Sequence, residues 1–304
     1  MSWFLFALIG HLSNGAAFII DKILLHSAFK QSATYAGLVG TLSFIVIVAA
    51  PWVTQWPQGA QWVIAGLSGV TFIIALWAFF EALARAEASR IVPVIGSLIP
   101  ILTLVGSFFF LNERLHDQTI LGFCILILAT ILLSGSGKGK LNKKTIFISI
   151  LSAFFFAVAS ITGKVAYDQI GFLGGFLTTR IAAAMTAILV LFIFDQAAGK
   201  EFLSIIKPGK KTKPKSKQKY ATLLTCIGQS LGAIGFLFVQ IAIARGSATI
   251  VNAMQTIQYA LLVIVGISLY KKAPQLLNEE LSRKTLVFKT TALILTAIGM
   301  ALIV

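Results

Sequence analysis

Charged residues are scarce in this chain. Asp, Glu, Lys and Arg make up 12% of its 304 residues, whereas soluble proteins carry about 25%. Hydrophobic residues make up 58% of the chain. A water-soluble fold needs more polar surface than this composition supplies. The sequence therefore predicts an all-α, multi-pass integral membrane protein, and we expect it in a bacterial or archaeal cell membrane.

Reactive and metal-binding groups are also sparse. The two cysteines, Cys124 and Cys226, both fall inside apolar segments, which argues against a disulfide framework and predicts small core residues; the composition indicates no metal site. The apolar segments hold no paired carboxylates, no HExxH and no nucleophile–base group, so we predict that the protein is not an enzyme. Gly163-Lys164 lacks the loop and strand of a phosphate-binding cradle, so we expect neither ATP nor another cofactor.

Long apolar runs are what the chain has in abundance. A membrane crossing needs about 20 predominantly apolar residues, and on this measure the sequence predicts ten crossings. They lie near residues 3–24, 32–51, 61–83, 91–111, 118–135, 145–166, 171–194, 220–243, 249–269 and 286–303.

The basic residues are unevenly distributed. The net charge is +15, and 21 of the 25 Lys and Arg residues lie in the connections after the first, third, fifth, seventh and ninth predicted crossings or within a turn of them. By the positive-inside rule these basic loops are cytoplasmic and both termini lie outside. We interpret the Lys run at 207–219 as a solvated loop near anionic lipid. Because the chain has almost no polar surface for a basic binding face, we expect no nucleic-acid partner.

Residues 79–107 and 239–266 carry one pattern twice. Each copy is an apolar helix end, an Ala-Arg-small-x-Ala break, Ile-Val and a second apolar helix; the break lies at residues 84–88 and again at 244–248. Five predicted crossings separate the copies, and because five is odd the second copy faces the opposite way across the bilayer. Inverted repeats of this kind build many secondary transporters, whose two halves enclose one site near the membrane midplane.

Short motifs in the first half carry a family resemblance. They are Ile-Ile-Asp-Lys at 19–22, EALARAEASRIVP at 81–93, Pro100, and LNERL at 111–115. Together they resemble the drug/metabolite transporter superfamily of the ten-helix, EamA-like type. In the second half the likeness is weaker: Lys164 and the NEEL sequence at 278–281 echo Lys22 and LNERL.

The resemblance implies a specific architecture and activity. The architecture is two inverted five-helix repeats, residues 1–136 and 137–304, the second with a basic loop at 200–219. The activity is secondary transport, as a rule efflux, of small metabolites such as amino acids. The family keeps both termini in the cytoplasm, whereas the charge count predicts the reverse. Since two halves of opposite topology alternate access in either orientation, the predicted fold does not depend on which is correct.

Polar side chains form a stripe in the ninth predicted crossing. Asn252, Gln255, Thr256 and Tyr259 recur at i, i+3, i+4 and i+7, which gathers them on one face of a helix. We interpret them as substrate-binding residues that line a cavity. The alternative is that they hydrogen-bond neighbouring helices. Gln258 lies off this face and can serve that structural role.

The first predicted crossing contributes a second set of candidates. His11, Asn14 and Lys22 share one helix face. His11 and Asn14 are candidate substrate-binding residues near the middle of the crossing, with a purely structural role as the alternative. Lys22 is a candidate charge partner for an anionic substrate, or else its ammonium group extends to the membrane interface.

The third predicted crossing adds Trp77, Glu81 and Arg85 at successive turns. Trp77 and Glu81 are candidate substrate-binding residues. The i, i+4 spacing of Glu81 and Arg85 predicts an ion pair along one helix face, which makes Arg85 a charge partner. If protons drive the cycle, Glu81 is the leading acidic candidate and His11 is the alternative titrating group.

The sequence as a whole predicts a secondary transporter of a small polar or amphipathic metabolite. We expect it to act in contact with membrane lipid, as a monomer or homodimer. The alternative is a flippase for a lipid or lipid-linked sugar. A flippase needs a groove open to the bilayer and basic residues at the level of the headgroups, for which Lys22, Arg85 and Arg90 are the candidates.

Overall fold

A computed structural model describes residues 2–27, 31–85, 88–134, 142–206, 216–269 and 283–303 of the chain. Within these ranges every regular element is helical. Helices satisfy the backbone N–H and C=O groups within one segment, which hydrocarbon demands because it offers no hydrogen bonds. The predicted all-α fold class is therefore confirmed for the described residues.

The first half of the chain forms five helices. They are α1 (Trp3–Ser27), α2 (Ser32–Leu42), which continues as a 3₁₀ helix (Ser43–Trp52), α3 (Gln61–Arg85), α4 (Ala88–Phe110) and α5 (Asp117–Ser134). The second half forms α6 (Lys143–Ile170), α7 (Phe172–Leu189), which ends in a π-helical turn (Val190–Phe194), α8 (Gln196–Ile206), α9 (Ser216–Arg245), α10 (Ala248–Ala253), α11 (Thr256–Leu269) and α12 (Arg283–Ile303).

Eight of the described segments are long and apolar enough to cross a membrane. They are Trp3–Ile20, Ser32–Trp52, Gln61–Arg85, Lys143–Ile170, Phe172–Phe194, Leu223–Arg245, Ala248–Val265 and Thr285–Ile303. The fourth and fifth predicted crossings correspond to shorter apolar helices, Val94–Phe110 and Asp117–Leu132. The ten-crossing arrangement stays a prediction.

The ninth predicted crossing is not one continuous helix. α10 ends at Ala253 and α11 begins at Thr256. Between them the N–H of Gln255 bonds to the carbonyl of Asn252 (3.3 Å). The N–H of Ile257 likewise bonds to the carbonyl of Met254 (3.0 Å). These i to i+3 bonds tighten the backbone into a turn, which changes the direction of every side chain beyond it.

Both ends of the predicted basic loop at 200–219 belong to helices. Residues 200–206 belong to α8 and α9 begins at Ser216, so residues 207–215 of that loop lie outside the described residues. α8 forms because the Asp195 carboxylate accepts the N–H of Ala198 (3.0 Å) at the helix start. Ala198 and Phe202 then bury the inner face of α8 against α2 and the π-helical turn.

Helices of the two halves pack against each other in pairs. The pairs are α1 with α9, α3 with α6, α2 with α7, α4 with α10, and α5 with α12. Small residues allow the backbones to approach, as is usual inside membranes. A Cβ atom on Gly10 would lie 2.9 Å from the Gly235 carbonyl oxygen, and one on Gly122 would lie 2.9 Å from that of Gly299.

The outer surface of the bundle is apolar. Trp52, Trp56 and Trp62 are exposed around the connection between α2 and α3, as aromatic anchors at a membrane interface would be. Cys124 and Cys226 are free and exposed, so the prediction that they are core residues is wrong. Both sit on helix faces that turn away from the bundle, a property that composition cannot show.

Candidate functional site

Aromatic rings from both halves meet inside the bundle. Phe72 of α3 lies 5.1 Å from Phe236 of α9 and 6.0 Å from Phe156 of α6, measured between ring centroids. Phe79, two turns along α3, contacts Phe156 (6.3 Å) and Phe18 of α1 (5.8 Å). Phe18, Phe72, Phe156 and Phe236 are only partly buried. Together with Phe79 they form what we call the central aromatic cluster.

Arg180 of α7 reaches into this cluster. Its guanidinium carbon lies 4.3 Å from the ring centroids of both Phe72 and Phe236, and its side chain is 5% exposed. The approach depends on Gly69, three residues before Phe72 on α3. A Cβ atom there would lie 2.6 Å from the backbone nitrogen of Ala183. The glycine therefore lets α7 come close enough to place Arg180 against the rings.

The charge of Arg180 is not compensated within the described part of the chain. Its Nε is buried without a hydrogen-bond partner. No ion pair or hydrogen bond of its guanidinium is found there either. The titratable group that interacts with it is Tyr167 of α6, whose hydroxyl donates to Gln240 Oε1 (3.0 Å). A buried cation without a partner is costly, and inside a membrane it indicates a functional site.

Asn252 connects the two halves beside the cluster. Its amide nitrogen donates to Thr103 Oγ of α4 (3.1 Å) and to Ser160 Oγ of α6 (2.9 Å). Ser160 lies one turn from Phe156 on the same face of α6. Both amide hydrogens are thus engaged, while Oδ1 has no hydrogen bond within the described residues. Asn252 is partly exposed, so this oxygen is placed to accept a hydrogen bond from a solute.

The rest of the predicted stripe divides between two neighbours. Gln255 Nε2 donates to the Gly96 carbonyl of α4 (3.0 Å), and the Tyr259 ring also packs against Gly96. Thr256 turns the other way, where its hydroxyl lies 2.9 Å from that of Thr130 on α5. Three of the four residues therefore face α4 and one faces α5, because the turn between α10 and α11 breaks the helical periodicity.

His11 is held on both ring nitrogens. Nε2 lies 2.8 Å from the Val251 carbonyl oxygen, and Nδ1 lies 2.6 Å from Gln258 Nε2. A carbonyl only accepts, so Nε2 carries the hydrogen and Nδ1 accepts from the amide of Gln258. His11 is 3% exposed, and this arrangement supports its structural interpretation. Asn14, one turn along α1, is partly exposed and packs against Gly235 of α9.

Two of the third-crossing candidates, Glu81 and Arg85, lie at the end of α3. Glu81 forms the predicted ion pair with Arg85, whose Nε donates to Oε1 (2.9 Å), so that prediction is confirmed. The other carboxylate oxygen accepts from the Ser32 hydroxyl at the start of α2. Trp77 is partly buried in the apolar core between these helices. Lys22 belongs to α1, but its side chain lies outside the described residues.

A surface-open cavity of about 410 Å³ lies apart from the central aromatic cluster, at the end of the bundle where α1 begins. The LNERL motif, the end of α6 and the α9–α10 junction line it. Glu113 accepts from the Thr249 hydroxyl (3.1 Å), and Lys164 pairs with Asp168 (2.9 Å). The Lys164 ammonium also donates to the Ala244 carbonyl (3.2 Å). The motif thus ties the α4–α5 connection to the second half.

Sequence reasoning did not identify Arg180 as a site residue. The charge count placed it only among the four basic residues outside the basic loops. A usable signal was present, since an isolated arginine in the middle of an apolar segment is rare and marks a functional position. The aromatic partners could not be found in this way, because Phe is common throughout the chain.

Comparison with known proteins agrees with this architecture. Residues 1–135 match the model of the EamA-like transporter family. A solved crystal structure aligns over 99% of this chain and 97% of its own, with a TM-score of 0.66 and 16% sequence identity, which establishes a shared fold only. No curated protein matches the chain. Residues 1–135 of this multi-pass membrane protein thus resemble the EamA-like transporter family, which is part of the drug/metabolite transporter superfamily.

Proposed function

We propose that the protein is a secondary transporter that moves a small polar or amphipathic metabolite by alternating access between two inverted five-helix repeats. The pairing of helices carries this proposal. In the proposed repeat, each of the first five crossings corresponds to the crossing five places later in the chain. If every crossing is replaced by its counterpart, the α1–α9 pair becomes the α6–α3 pair. The same exchange maps the α2–α7, α4–α10 and α5–α12 pairs onto themselves. Two equivalent halves related by a two-fold axis in the membrane plane would pack in this way.

The candidate site lies where the halves meet. Phe72 comes from the first half, whereas Phe156, Phe236 and Arg180 come from the second. Asn252 of the second half donates to Thr103 of the first. Rocking one half against the other would open this region to one membrane face and then to the other. Efflux of metabolites such as amino acids is the direction and range that the family resemblance implies.

The orientation and energy source are part of the proposal. We place the basic connections in the cytoplasm, following the charge distribution. We expect no bound cofactor, with membrane lipid and the transported solute as partners of a monomer or homodimer. Proton coupling stays an alternative, and the candidate carriers are Glu81 in its ion pair with Arg85 and His11 in its buried contacts.

The described residues favour a water-soluble substrate over a lipid. Arg85, one of the basic residues that a flippase would use at headgroup level, is already paired with Glu81. The polar contacts of Asn252 and Gln255 instead lie inside the bundle, against α4 and α6. A small solute can reach such groups without a lateral opening for acyl chains.

Counterflow in proteoliposomes tests the proposal. Vesicles containing the purified full chain are loaded with one unlabelled metabolite from a panel of amino and organic acids, and uptake of the same labelled compound is followed. We expect uptake above protein-free vesicles for at least one compound. Protein-dependent reduction of fluorescent phospholipid by dithionite, together with no counterflow across the panel, would instead establish the flippase.

A further inference from the structure

We propose that Arg180 binds the carboxylate of the transported solute, which is a small organic monocarboxylate with an apolar or aromatic body. This inference rests on the proposed transport function, since it identifies the substrate class of that site. Its basis is the position of a buried, unpartnered cation inside the central aromatic cluster.

The two rings lie on one side of the guanidinium and leave its other side to further neighbours. Phe72 and Phe236 each lie 4.3 Å from the guanidinium carbon of Arg180, and their centroids are only 5.1 Å apart. The two rings therefore subtend an acute angle at that carbon, which places them on the same side of the cation rather than on opposite faces. A guanidinium has five N–H donors in a planar fork, and a carboxylate in its plane can accept two of them in parallel.

Among the described residues, the neighbouring helices supply polar groups to Arg180, and their carboxylates are paired elsewhere. Tyr167 of α6 interacts with Arg180 and is itself bonded to Gln240 of α9. On the same helices, Glu81 of α3 and Asp168 of α6 are engaged in ion pairs with Arg85 and Lys164. An anion from outside the described residues is therefore needed to compensate the charge.

The charge and surroundings select the kind of anion. Arg180 carries one positive charge, which a monocarboxylate neutralises, whereas a phosphate monoester brings about −1.5 to −2 and would leave an excess of negative charge in the membrane. The partly buried rings of Phe72, Phe156 and Phe236 offer apolar surface next to the guanidinium. Asn252, bonded to Ser160 one turn from Phe156, offers an acceptor for a polar group of the body.

A purely structural role for Arg180 makes the opposite prediction about stability. If the cation serves to bridge α3, α7 and α9 through its ring contacts, Arg180→Gln should lower the melting temperature of the ligand-free protein. If the cation is kept for a ligand, removing an unpaired buried charge should leave that temperature unchanged or raise it.

The test uses pairs of compounds that differ only in charge. Binding of butyrate, phenylacetate and indole-3-acetate, and of the three corresponding amides, is measured on the purified full chain in detergent by equilibrium dialysis. Arg245→Gln is the matched control, because Arg245 also contacts a ring (Phe6, 5.1 Å) but is exposed at the end of α9. We expect the wild type and Arg245→Gln to prefer at least one acid over its amide on the order of tenfold.

In Arg180→Gln this preference should disappear, while the ligand-free melting temperature is maintained. Equal affinity of the wild type for every acid and its amide, or a preference that survives in Arg180→Gln, would overturn the assignment. If that variant does not fold, Arg180→Lys takes its place. Lysine keeps the charge without the planar fork, so we expect several-fold weaker binding of the acid, and unchanged binding would contradict the fork contact.

Failure of this inference is distinguishable from failure of the proposed function, because binding in detergent does not require transport. An acid preference that depends on Arg180, without counterflow of any compound, would contradict transport and leave the carboxylate site in place. Counterflow of a solute in a protein that shows no acid preference would contradict the carboxylate site alone.

Discussion

His11 and Gln258 are hydrogen-bonded at 2.6 Å between Nδ1 and Nε2, although 247 positions separate them in the chain. The bond joins α1 of the first half to α11 of the second. With the Nε2 contact to Val251, it fixes the imidazole ring on both sides.

The first prediction is that His11→Ala destabilises the protein. The variant leaves the Val251 carbonyl and the Gln258 amide without their partner, and an interhelical hydrogen bond in a membrane contributes about 1 kcal/mol. Thermal unfolding in detergent should show a lower melting temperature. His116→Ala removes an exposed histidine at the mouth of the surface cavity and should have no effect. Full stability of His11→Ala together with loss of pH-dependent transport would instead identify His11 as the proton carrier.

The second prediction concerns the contact of α4 with α11. Gly96→Ala places a Cβ atom where the Tyr259 hydroxyl lies, and overpacking of this kind costs about 1 to 3 kcal/mol. Gly66→Ala is the matched control, because that helical glycine has open space beside it. We expect the melting temperature to fall for Gly96→Ala alone, and Tyr259→Phe to restore part of it. Equal melting temperatures of the two alanine variants would show that α4 and α11 are not in close contact.

The third prediction compares two residues of the predicted stripe. Asn252→Leu removes the donor to Thr103 and Ser160 and the free oxygen beside the aromatic cluster. Thr256→Val removes a hydroxyl that faces α5. If Asn252 contacts the solute, its loss should raise the apparent KM for counterflow about fivefold to thirtyfold, the equivalent of about 1 to 2 kcal/mol, while Thr256→Val leaves it unchanged. Similar effects on KM in both variants would indicate that the stripe residues serve only to hydrogen-bond neighbouring helices.

The polar stripe shows how much of the site helical periodicity alone could predict. It predicted a polar face on the ninth crossing, and three of its residues do face α4. Thr256 was misplaced because the arithmetic of 100° per residue assumes an unbroken helix. The residues at 254–255 carry no proline or glycine to indicate a break. That turn depends on packing between helices, which a single segment does not encode.

The surroundings of Arg180 could not be predicted from the local sequence. Its burial follows from the close approach of α3 and α7 at Gly69, more than 100 positions earlier in the sequence. Composition identified the membrane class and Glu81–Arg85 spacing identified the ion pair, since both depend on local sequence. Contacts between Arg180 and rings on two other helices depend on the assembled bundle.

The fourth prediction fixes the orientation in the membrane. In a background without Cys124 and Cys226, cysteine is introduced at Ser204 of α8 or at Gln58 between α2 and α3, both exposed and at opposite ends of the bundle. Because the basic connections are proposed to be cytoplasmic, an impermeant maleimide applied to intact cells should label Gln58→Cys and leave Ser204→Cys unlabelled. The reverse pattern would establish the usual orientation of the family.

Accessibility of the central site from both membrane faces tests alternating access most directly. Ser160→Cys, in the same cysteine-free background, places a thiol beside Asn252 and one turn from Phe156. A charged, impermeant methanethiosulfonate reagent is applied separately to right-side-out and to inside-out vesicles. We predict modification from each side and slower modification in the presence of a transported solute. Modification from one side only, or from neither, would contradict a single site that opens to both faces.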